Sequence, residues 1–309
     1  MSTSDNRCPM LEAWEAEIQQ LWNSDTSCTG NNVHTRVPGF DVWIVTTGER
    51  VYVAKKLSKY LAIEESRYLE ILAPHPGINV LIGVTPGMGL SDWILKVKYC
   101  KHGSLYCYLK TKPHPDNVST HLLPWIQQLL RALVHMHAKG VVHCDIKSHN
   151  IFIEDPEHVV IGDFGLAQNA DSDGKCQDGC GGTQDFWAPE DYFAQQDDDE
   201  RPLPTDLFDV WGLGCVVHEL MYGLRKGNDA FWPIAELVRK GLLNRSDDVS
   251  VKPEHARCRK IATAVRAQAL EMLPQNRPRA QALLNKLDSL IAQELPVKRK
   301  LEEIESPDA

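Results

Sequence analysis

Four polar residues along one stretch of the chain have the types and the spacing that phosphoryl transfer requires. They are Asp145, Lys147, Asn150 and Asp163. The first carboxylate can accept the proton of an attacking hydroxyl, and the lysine can neutralise charge on the group in transfer. An amide oxygen and a second carboxylate are ligands that Mg²⁺ accepts in proteins. The four residues therefore predict a site that moves a phosphoryl group from a magnesium-bound donor to a hydroxyl acceptor.

The bulk composition is typical of a globular protein. The 309 residues are 43% hydrophobic and 24% charged, with a net charge of −9, which excludes a fibrous chain and disfavours disorder. The acidic balance argues against binding to nucleic acid or to an anionic membrane. The polar start MSTSDNR and the lack of a long apolar run predict no signal peptide and no membrane span. We expect a cytoplasmic or nuclear protein, with the basic residues 298–300 either a short nuclear signal or solubilising charge.

The nine cysteines are expected to be reduced thiols, because the chain shows no secretory signal and the cytosol keeps thiols reduced. Cys144, Cys176 and Cys180 leave a second interpretation open, a zinc site or a redox switch. A lone CxxxC pair lacks the second half of a usual zinc site. Unpaired thiols are therefore the expected state.

Apolar periodicity divides the chain into a small sheet-rich part followed by a large helical part. The runs DVWIV and RVYVAKKL around Gly48 predict a hairpin, and INVLIGV and WILKVKYC predict further strands. The later segments have mostly helical spacing. The predicted fold class is therefore α+β, with two lobes. The predicted helices are 10–22, 60–72, 122–140, 207–222, 231–240, 255–273 and 280–290.

Several motifs together resemble the eukaryotic-type protein kinases, and their serine/threonine-specific branch in particular. The run HCDIKSHN at 143–150 resembles the family's catalytic loop, and DFG at 163–165 resembles its magnesium-binding motif. GTQDFWAPE at 182–190 and DVWGLG at 209–214 resemble two further family segments. The resemblance covers roughly 39–290. It implies a bilobal kinase fold with ATP and Mg²⁺ in the cleft between the lobes.

The resemblance implies a role for each polar residue of the two motifs. Asp145 would orient or deprotonate the substrate hydroxyl, and Lys147 would balance charge on the phosphoryl group. Asn150 and Asp163 would hold Mg²⁺. Thr183 would bridge Asp145 and Lys147. The catalytic residues are thus predicted to be Asp145 and Lys147, together with a lysine of the N-terminal lobe.

That lysine is predicted to be Lys56. The family motif places it two residues after an alanine, and strand alternation puts Lys56 on the same face as Ala54. Lys55 is then expected to point to solvent. Glu65 on the following helix is the predicted partner of Lys56, with Glu64 as the alternative.

The segment LKVKYCKHGSL resembles the family's hinge, whose backbone groups bond the adenine. The alignment places Val97 at the gatekeeper position and Cys100 at the backbone-donating position, with Lys98 between them. All three are predicted to lie at the nucleotide. The predicted domains are an N-terminal extension at 1–30, a kinase domain at 31–292 with lobes at 31–98 and 104–292, and a disordered tail at 293–309.

Two structural contacts are also implied by the resemblance. Glu190 is expected to form a buried ion pair with Arg277, and Asp209 is expected to support the backbone of the catalytic loop. These contacts would hold the lobe together without touching a substrate.

Two departures from the family pattern bear on activity. Gly39 is the single glycine of the segment VHTRVPGFDVWIV, where the family has a glycine-rich phosphate loop. Cys144 replaces an arginine that commonly pairs with a phosphate on the activation loop, and a thiol cannot form that ion pair. Activity is therefore expected not to depend on phosphorylation of Ser172 or Thr183 in that loop.

The predicted function is transfer of the ATP γ-phosphoryl group to serine or threonine hydroxyls of protein substrates, by a monomer. A pseudokinase scaffold is the first alternative, because the glycine-rich loop is missing. A small-molecule phosphotransferase is the second, and the Ala-Pro-Glu and Asp-x-Trp-x-Gly segments disfavour it.

Overall fold

The computed structural model describes most of the chain from Thr26 to Glu294. The predicted helix at 10–22, the basic residues 298–300 and Cys180 lie outside the described residues. The described ranges are 26–29, 32–37, 41–87, 92–111, 120–179, 181–196, 202–225, 232–243 and 253–294.

The N-terminal lobe is built on one antiparallel sheet of six strands in the order β1-β2-β3-β4-β6-β5. The predicted hairpin is confirmed as β3 and β4, and its turn begins at Gly48 with a φ of 59°. Short hairpin turns need a positive φ, which glycine adopts without strain. The strands are β1 (Thr26–Thr29), β2 (Asn32–Arg36), β3 (Val42–Thr47), β4 (Arg50–Ser58), β5 (Leu81–Pro86) and β6 (Asp92–Lys98).

Helix α1 (Lys59–Leu72) follows β4 directly and carries one charged residue on its buried face. It begins after Ser58, whose Oγ accepts a hydrogen bond from the N–H of Leu61 at 3.4 Å. Glu65, Leu69 and Leu72 are all buried, at the i, i+4, i+7 spacing of a single helix face. The helix therefore delivers the Glu65 carboxylate to the inner side of the sheet.

The C-terminal lobe is helical around α5 (Asp206–Tyr222), which is buried along almost its whole length. The N-cap Thr205 accepts a hydrogen bond from the N–H of Leu207, and Gly223 ends the helix with a φ of 79°. The other helices and strands of the lobe are α2 (Leu105–Thr111), α3 (Leu122–Ala138), β7 (Val141–Val142), β8 (Ile151–Asp155), β9 (His158–Ile161), β10 (Gln168–Asn169), α4 (Pro189–Gln196), α6 (Ile234–Arg239), α7 (Pro253–Ala269) and α8 (Ala280–Glu294). Helices α2, α3, α5, α7 and α8 share one apolar core, to which α1 of the N-terminal lobe also contributes.

The α+β prediction is confirmed, and the differences in detail have local causes. Helix α6 begins only at Ile234, because Pro233 occupies its N-cap. The short helices α2 and α4 were not predicted, since each spans too few residues for a periodic pattern to show. Strands β1, β2, β7, β8, β9 and β10 were also missed. Within the described residues, no helix is both long enough and apolar enough to cross a membrane.

Candidate active site

The lysine that faces helix α1 is Lys55, and the prediction of Lys56 is wrong. Ala54 packs outward with Trp43 and Ile94, so the alternation of β4 turns Lys55 to the opposite, inner face. The Nζ atom of Lys55 lies 2.8 Å from Oε2 of Glu65 and 2.5 Å from Oδ1 of Asp163. Ala54 and Lys56 do share a face, as predicted, but it is the outer one.

Lys56 lies near the end of the central strand β4 and has a different partner. Its Nζ is 2.7 Å from Oδ2 of Asp92. Glu64, the alternative glutamate, bonds Arg67 on its own helix at 3.0 Å. Glu65 is thus the glutamate of α1 that reaches the strand lysine, and the lysine it reaches is Lys55.

The sequence of β4 contains two alternating sets of side chains, and each set holds one of the two lysines, so alternation alone does not choose between them. Val51, Val53 and Leu57 alternate with Tyr52, Ala54 and Lys56, and Lys55 belongs to the first of these sets. The family's alanine position therefore corresponds to Val53, two residues before Lys55. The prediction aligned Ala54 with the family's alanine because the residue type matched, and this shifted the predicted lysine by one position, from Lys55 to Lys56.

The charged groups of Lys55, Glu65 and Asp163 lie close enough to shift one another's pKa values. Burial alone would lower the pKa of Lys55, but the carboxylates of Glu65 and Asp163 outweigh burial and raise the pKa above its ordinary value. Burial raises the pKa of Glu65, opposed by Lys55. Burial would also raise the pKa of Asp163, but Lys55 more than reverses this and the pKa is lowered. Lys55 is therefore a permanent cation, and Asp163 is the ionised carboxylate beside it.

Asp145 lies at the centre of a hydrogen-bond network in the catalytic loop (143–150). Its Oδ1 accepts hydrogen bonds from the N–H and the Oγ1 of Thr183, at 3.0 and 2.9 Å. Its Oδ2 is 2.6 Å from Nζ of Lys147 and accepts from Nδ2 of Asn150 at 3.0 Å. Lys147 also donates to Oγ1 of Thr183 at 2.5 Å. The predicted bridge from Thr183 to Asp145 and Lys147 is therefore present.

Asp209 holds the backbone of this loop from below, as predicted. Its carboxylate accepts hydrogen bonds from the N–H of His143 at 2.8 Å and of Cys144 at 3.0 Å. Cys144 has a φ of 64°, and Asp163 across the site has a φ of 63°. Such values are unfavourable for residues other than glycine, and strained backbone of this kind is concentrated at functional sites. The Asp209 contacts hold Cys144 in this conformation.

Asn150 and Asp163 have the donor atoms that a magnesium ion needs. The Nδ2 of Asn150 donates to the backbone O and to Oδ2 of Asp145, which directs its amide oxygen away from that carboxylate. Asp163 supplies an ionised carboxylate next to Lys55. Oxygen ligands of this kind fit Mg²⁺, and the adjacent lysine fits the phosphates that such an ion bridges.

The predicted hinge residues lie where β6 leaves the sheet. The Lys98 ammonium pairs with the Glu154 carboxylate of the other lobe, while Val97 is half-buried and Cys100 is buried. Burial raises the pKa of the Cys100 thiol to about 11, so this cysteine is a neutral apolar residue at neutral pH. The contacts of these three residues with an adenine stay a prediction.

The predicted ion pair of Glu190 and Arg277 is confirmed, and it is bidentate. Nη1 and Nη2 of Arg277 lie 2.8 and 3.0 Å from the two carboxylate oxygens of Glu190. Arg277 also donates to the backbone oxygens of Leu207 and Glu271. This one side chain therefore ties the segment after the activation loop to α5 and to the region before α8.

The zinc-site interpretation of the cysteines has no support in the described residues. No group of three or more metal-binding side chains occurs among them. Cys144 and Cys176 are buried and belong to one small apolar cluster with Val142.

Comparison with known proteins agrees with this geometry. Residues 48–287 match the family model described as protein kinase domain. The chain belongs to the protein kinase family. The match covers both lobes, including Lys55 and every catalytic-loop residue discussed above, and leaves out β1, β2 and β3.

Three individual kinases are similar to parts of this chain, at 26% to 37% identity. The interferon-induced, double-stranded RNA-activated protein kinase of Mus musculus is 26% identical over 193 residues, covering 62% of this chain and 34% of that protein. Serine/threonine-protein kinase US3 of Human herpesvirus 2 (strain HG52) is 34% identical over 157 residues, 50% of this chain and 30% of the relative. Serine/threonine-protein kinase cds1 of Schizosaccharomyces pombe is 37% identical over 130 residues, 42% and 28% of the two chains. The chain spans about a third of the length of the curated relatives it matches.

Proposed function

We propose that this chain is a serine/threonine protein kinase that transfers the γ-phosphoryl group of ATP to hydroxyl groups of protein substrates. The proposal rests on one observation: two clusters of charged side chains lie at the same cleft. Lys55, Glu65 and Asp163 form the first, and Asp145 with Lys147 forms the second. A chain that serves only as a scaffold has no need for either group.

Each residue of the site has a task that follows from its contacts. Lys55, held by Glu65, presents a fixed positive charge to the phosphates of the nucleotide. Asp163 and Asn150 would bind Mg²⁺, which supplies charge neutralisation to the phosphates when bound. Asp145 accepts the hydrogen bond of the substrate hydroxyl and orients it, and Lys147 balances the negative charge that develops on the phosphoryl group.

Thr183 sets the position of the two catalytic-loop residues relative to each other. Its hydroxyl accepts from Lys147 and donates to Asp145, and its N–H donates to the same carboxylate. These direct contacts hold both functional groups in place. Rate enhancement in such a site comes mainly from positioning and from preorganised charge.

The first test is transfer of radiolabelled phosphate from MgATP to a mixture of generic protein substrates, with phosphoamino-acid analysis of the product. Asp145→Asn keeps the size of the side chain but removes its charge, and we expect turnover to fall by roughly 10²–10⁴-fold. The matched control is Asp155→Asn, which changes an exposed aspartate outside the site. Label on serine or threonine that survives in Asp155→Asn and disappears in Asp145→Asn supports the proposal. A wild-type protein that binds MgATP but transfers no label would instead favour the scaffold.

We also propose that activity does not require phosphorylation of the activation loop. Asp171 Oδ1 accepts hydrogen bonds from the N–H groups of Asp173 and Lys175, both at 2.9 Å, and the N–H of Cys176 donates to Pro204 O at 2.8 Å. The start of the loop is thus ordered by its own contacts. Ser172→Ala should leave the initial rate unchanged in the same assay. Loss of activity in Ser172→Ala with recovery in Ser172→Asp would show that the loop is a phosphorylation switch.

A further inference from the structure

The face of the N-terminal sheet that lies opposite α1, here called the outer face, carries an apolar cluster. Its buried members are Trp43, Val45, Ala54 and Ile94, which are between 2% and 9% exposed, and Tyr52 packs against them. Every described member of the cluster is a strand residue of β3, β4 or β6. The cluster therefore lies on a single layer of sheet.

Burial of this degree requires a second layer over the outer face. Side chains of a strand stand nearly perpendicular to the sheet, so an uncovered face leaves them in contact with water. Ile82 of the edge strand β5, by contrast, is 53% exposed. Within the part of the chain that the structure describes, no helix supplies a member of the cluster. The second layer must therefore come from residues outside the described ranges.

The short connections between the strands are too small to supply this layer. Residues 38–40 and 88–91 join strands at the end of the sheet where β3 and β6 begin. Val45 lies three positions along β3 from Val42, about 10 Å further from that end. It is nevertheless only 3% exposed. A longer segment has to cover it.

The chain before β1 contains a segment of suitable length and pattern. Residues 10–22 have an apolar stripe at helical spacing, formed by Leu11, Trp14, Ile18 and Leu21. As a helix these residues would be about 20 Å long. The six residues of β3 extend over about the same distance. The stripe therefore matches the outer face in length.

The segment can reach the outer face from the first strand. Thr26 of β1 pairs with Thr35 of β2, and Thr35 pairs with Ile44 of β3. Because neighbouring strands are about 4.8 Å apart, β1 is about 10 Å from β3. Residues 23–25 and their flanking bonds span up to about 13 Å. The segment can therefore lie over β3 and β4 while β1 keeps its place in the sheet.

Charges on the two surfaces are complementary. One row of cross-strand neighbours crosses the outer face in the order Arg36, Trp43, Ala54, Lys96, so a cation lies on each side of the apolar cluster. In a helix at 10–22, Glu15 and Glu17 lie on opposite flanks of the apolar stripe, and the segment contains no lysine or arginine. Burial lowers the pKa of Lys96, and a carboxylate beside it would offset that effect.

We propose that residues 10–22 form a helix that packs its apolar stripe on the outer face, between Arg36 and Lys96. This layer holds Ala54 against Trp43 and so helps to fix the register of β4. The proposal concerns the architecture of the N-terminal lobe, and it stands whether or not the chain proves to be an active kinase.

The first test is photo-crosslinking in the full-length protein carrying Trp14→benzoylphenylalanine. We expect cross-links to the strand peptides at 42–47, 50–58 or 92–98, located by mass spectrometry. Gln20→benzoylphenylalanine is the matched control, because this position lies on the opposite side of the helix and should not cross-link to those strands. Mixing unlabelled with isotope-labelled chains separates a cover from the same chain from one supplied by a second copy.

Hydrogen exchange tests the contact without the probe. Ile18→Asp places a charge in the apolar stripe and should speed exchange of the amides of β3 and β6 roughly tenfold or more, while those of α5 stay unchanged. Gln20→Asp adds the same charge on the far side and should change neither. The proposal is overturned if the probe at position 14 cross-links only to other regions or only between chains, or if the two aspartate variants exchange alike.

Discussion

The two halves of the active site are held in place by different means. In the N-terminal lobe, the position of Lys55 depends on the register of one strand and on two carboxylates, Glu65 and Asp163. In the C-terminal lobe, Asp145 is fixed by Thr183, Lys147 and Asn150 together, and the loop that carries it is fixed again by Asp209. Few contacts therefore fix the position of Lys55. Several contacts fix Asp145, and each of them alone would favour the same position.

This difference explains why one half could be predicted and the other could not. In a strand, consecutive side chains alternate between two faces, so a shift of one residue exchanges the inner and outer lysines. In the catalytic loop, several polar residues at fixed spacing must meet one another, and a shift of one residue would break all the contacts at once. Redundant contacts therefore leave a stronger signature in the sequence.

The largest expected effect is a loss of folding stability, and it tests how much one buried contact of the C-terminal lobe contributes. Glu190→Gln leaves the fully buried side chain of Arg277 without its counter-charge. We expect the free energy of unfolding to fall by about 3–5 kcal/mol, as for other broken buried pairs, measured by urea denaturation. Lys260→Gln, which removes an exposed ion pair with Glu294, is the matched control and should change little. Equal losses in the two variants would contradict a structural role for the buried pair.

The second prediction concerns activity and compares the two neighbouring lysines directly. Lys55→Met should lower kcat/KM for ATP by roughly 10²–10³-fold, the usual loss when one preorganised charge is removed. Lys56→Met changes the same side chain one residue later and should keep most of the wild-type rate, because Lys56 pairs with Asp92 outside the cleft.

Thermal unfolding provides the control for this pair of variants. We expect Lys56→Met to unfold within a few degrees of the wild type, and Lys55→Met to unfold at a lower temperature, because the buried Glu65 carboxylate loses its counter-charge. Activity is therefore compared at a temperature below both transitions. If Lys56→Met is the inactive variant, the register of β4 that we describe is wrong. If both retain activity, then neither lysine contacts the phosphates.

The smallest expected effect is a pH dependence of stability in the polar core below the catalytic loop. Burial raises the pKa of Glu219 to about 7 from an ordinary value of 4.5, with the nearby Ser148 and Arg225 opposing the rise. The folded state then holds a proton that the unfolded chain releases. This contribution to stability is complete below pH 4.5 and is lost as the pH rises to about 7.

Glu219→Gln removes this titration. The difference in unfolding free energy between Glu219→Gln and the wild type should therefore grow in favour of the variant across that pH range, by up to about 3 kcal/mol. Urea denaturation at a series of pH values measures it. Glu70→Gln, at an exposed position of α1, is the control and should show a flat difference. A flat difference for Glu219→Gln would mean that this carboxyl is ionised in the folded protein.

Much of the C-terminal lobe could be predicted from the sequence, down to individual contacts. The ion pair of Glu190 with Arg277 and the support of the loop by Asp209 were both expected and are both present. The short helices α2 and α4, the strands β1 and β2, and the short strands β7 to β10 were not expected. Elements of this length have too few residues to show a period, and their existence depends on what they pack against.

The sequence by itself determined the family, the fold class and the residues of the catalytic loop, because their chemistry requires fixed residue types at fixed spacing. The tertiary structure decided which lysine faces the cleft, because a strand of period two offers both faces equally and only packing of Ala54 against Trp43 and Ile94 selects one. It also decided that Arg36, Trp43, Ala54 and Lys96 form one row across the sheet. These residues come from four separate strands, and no local pattern in the sequence records that the fold brings them together.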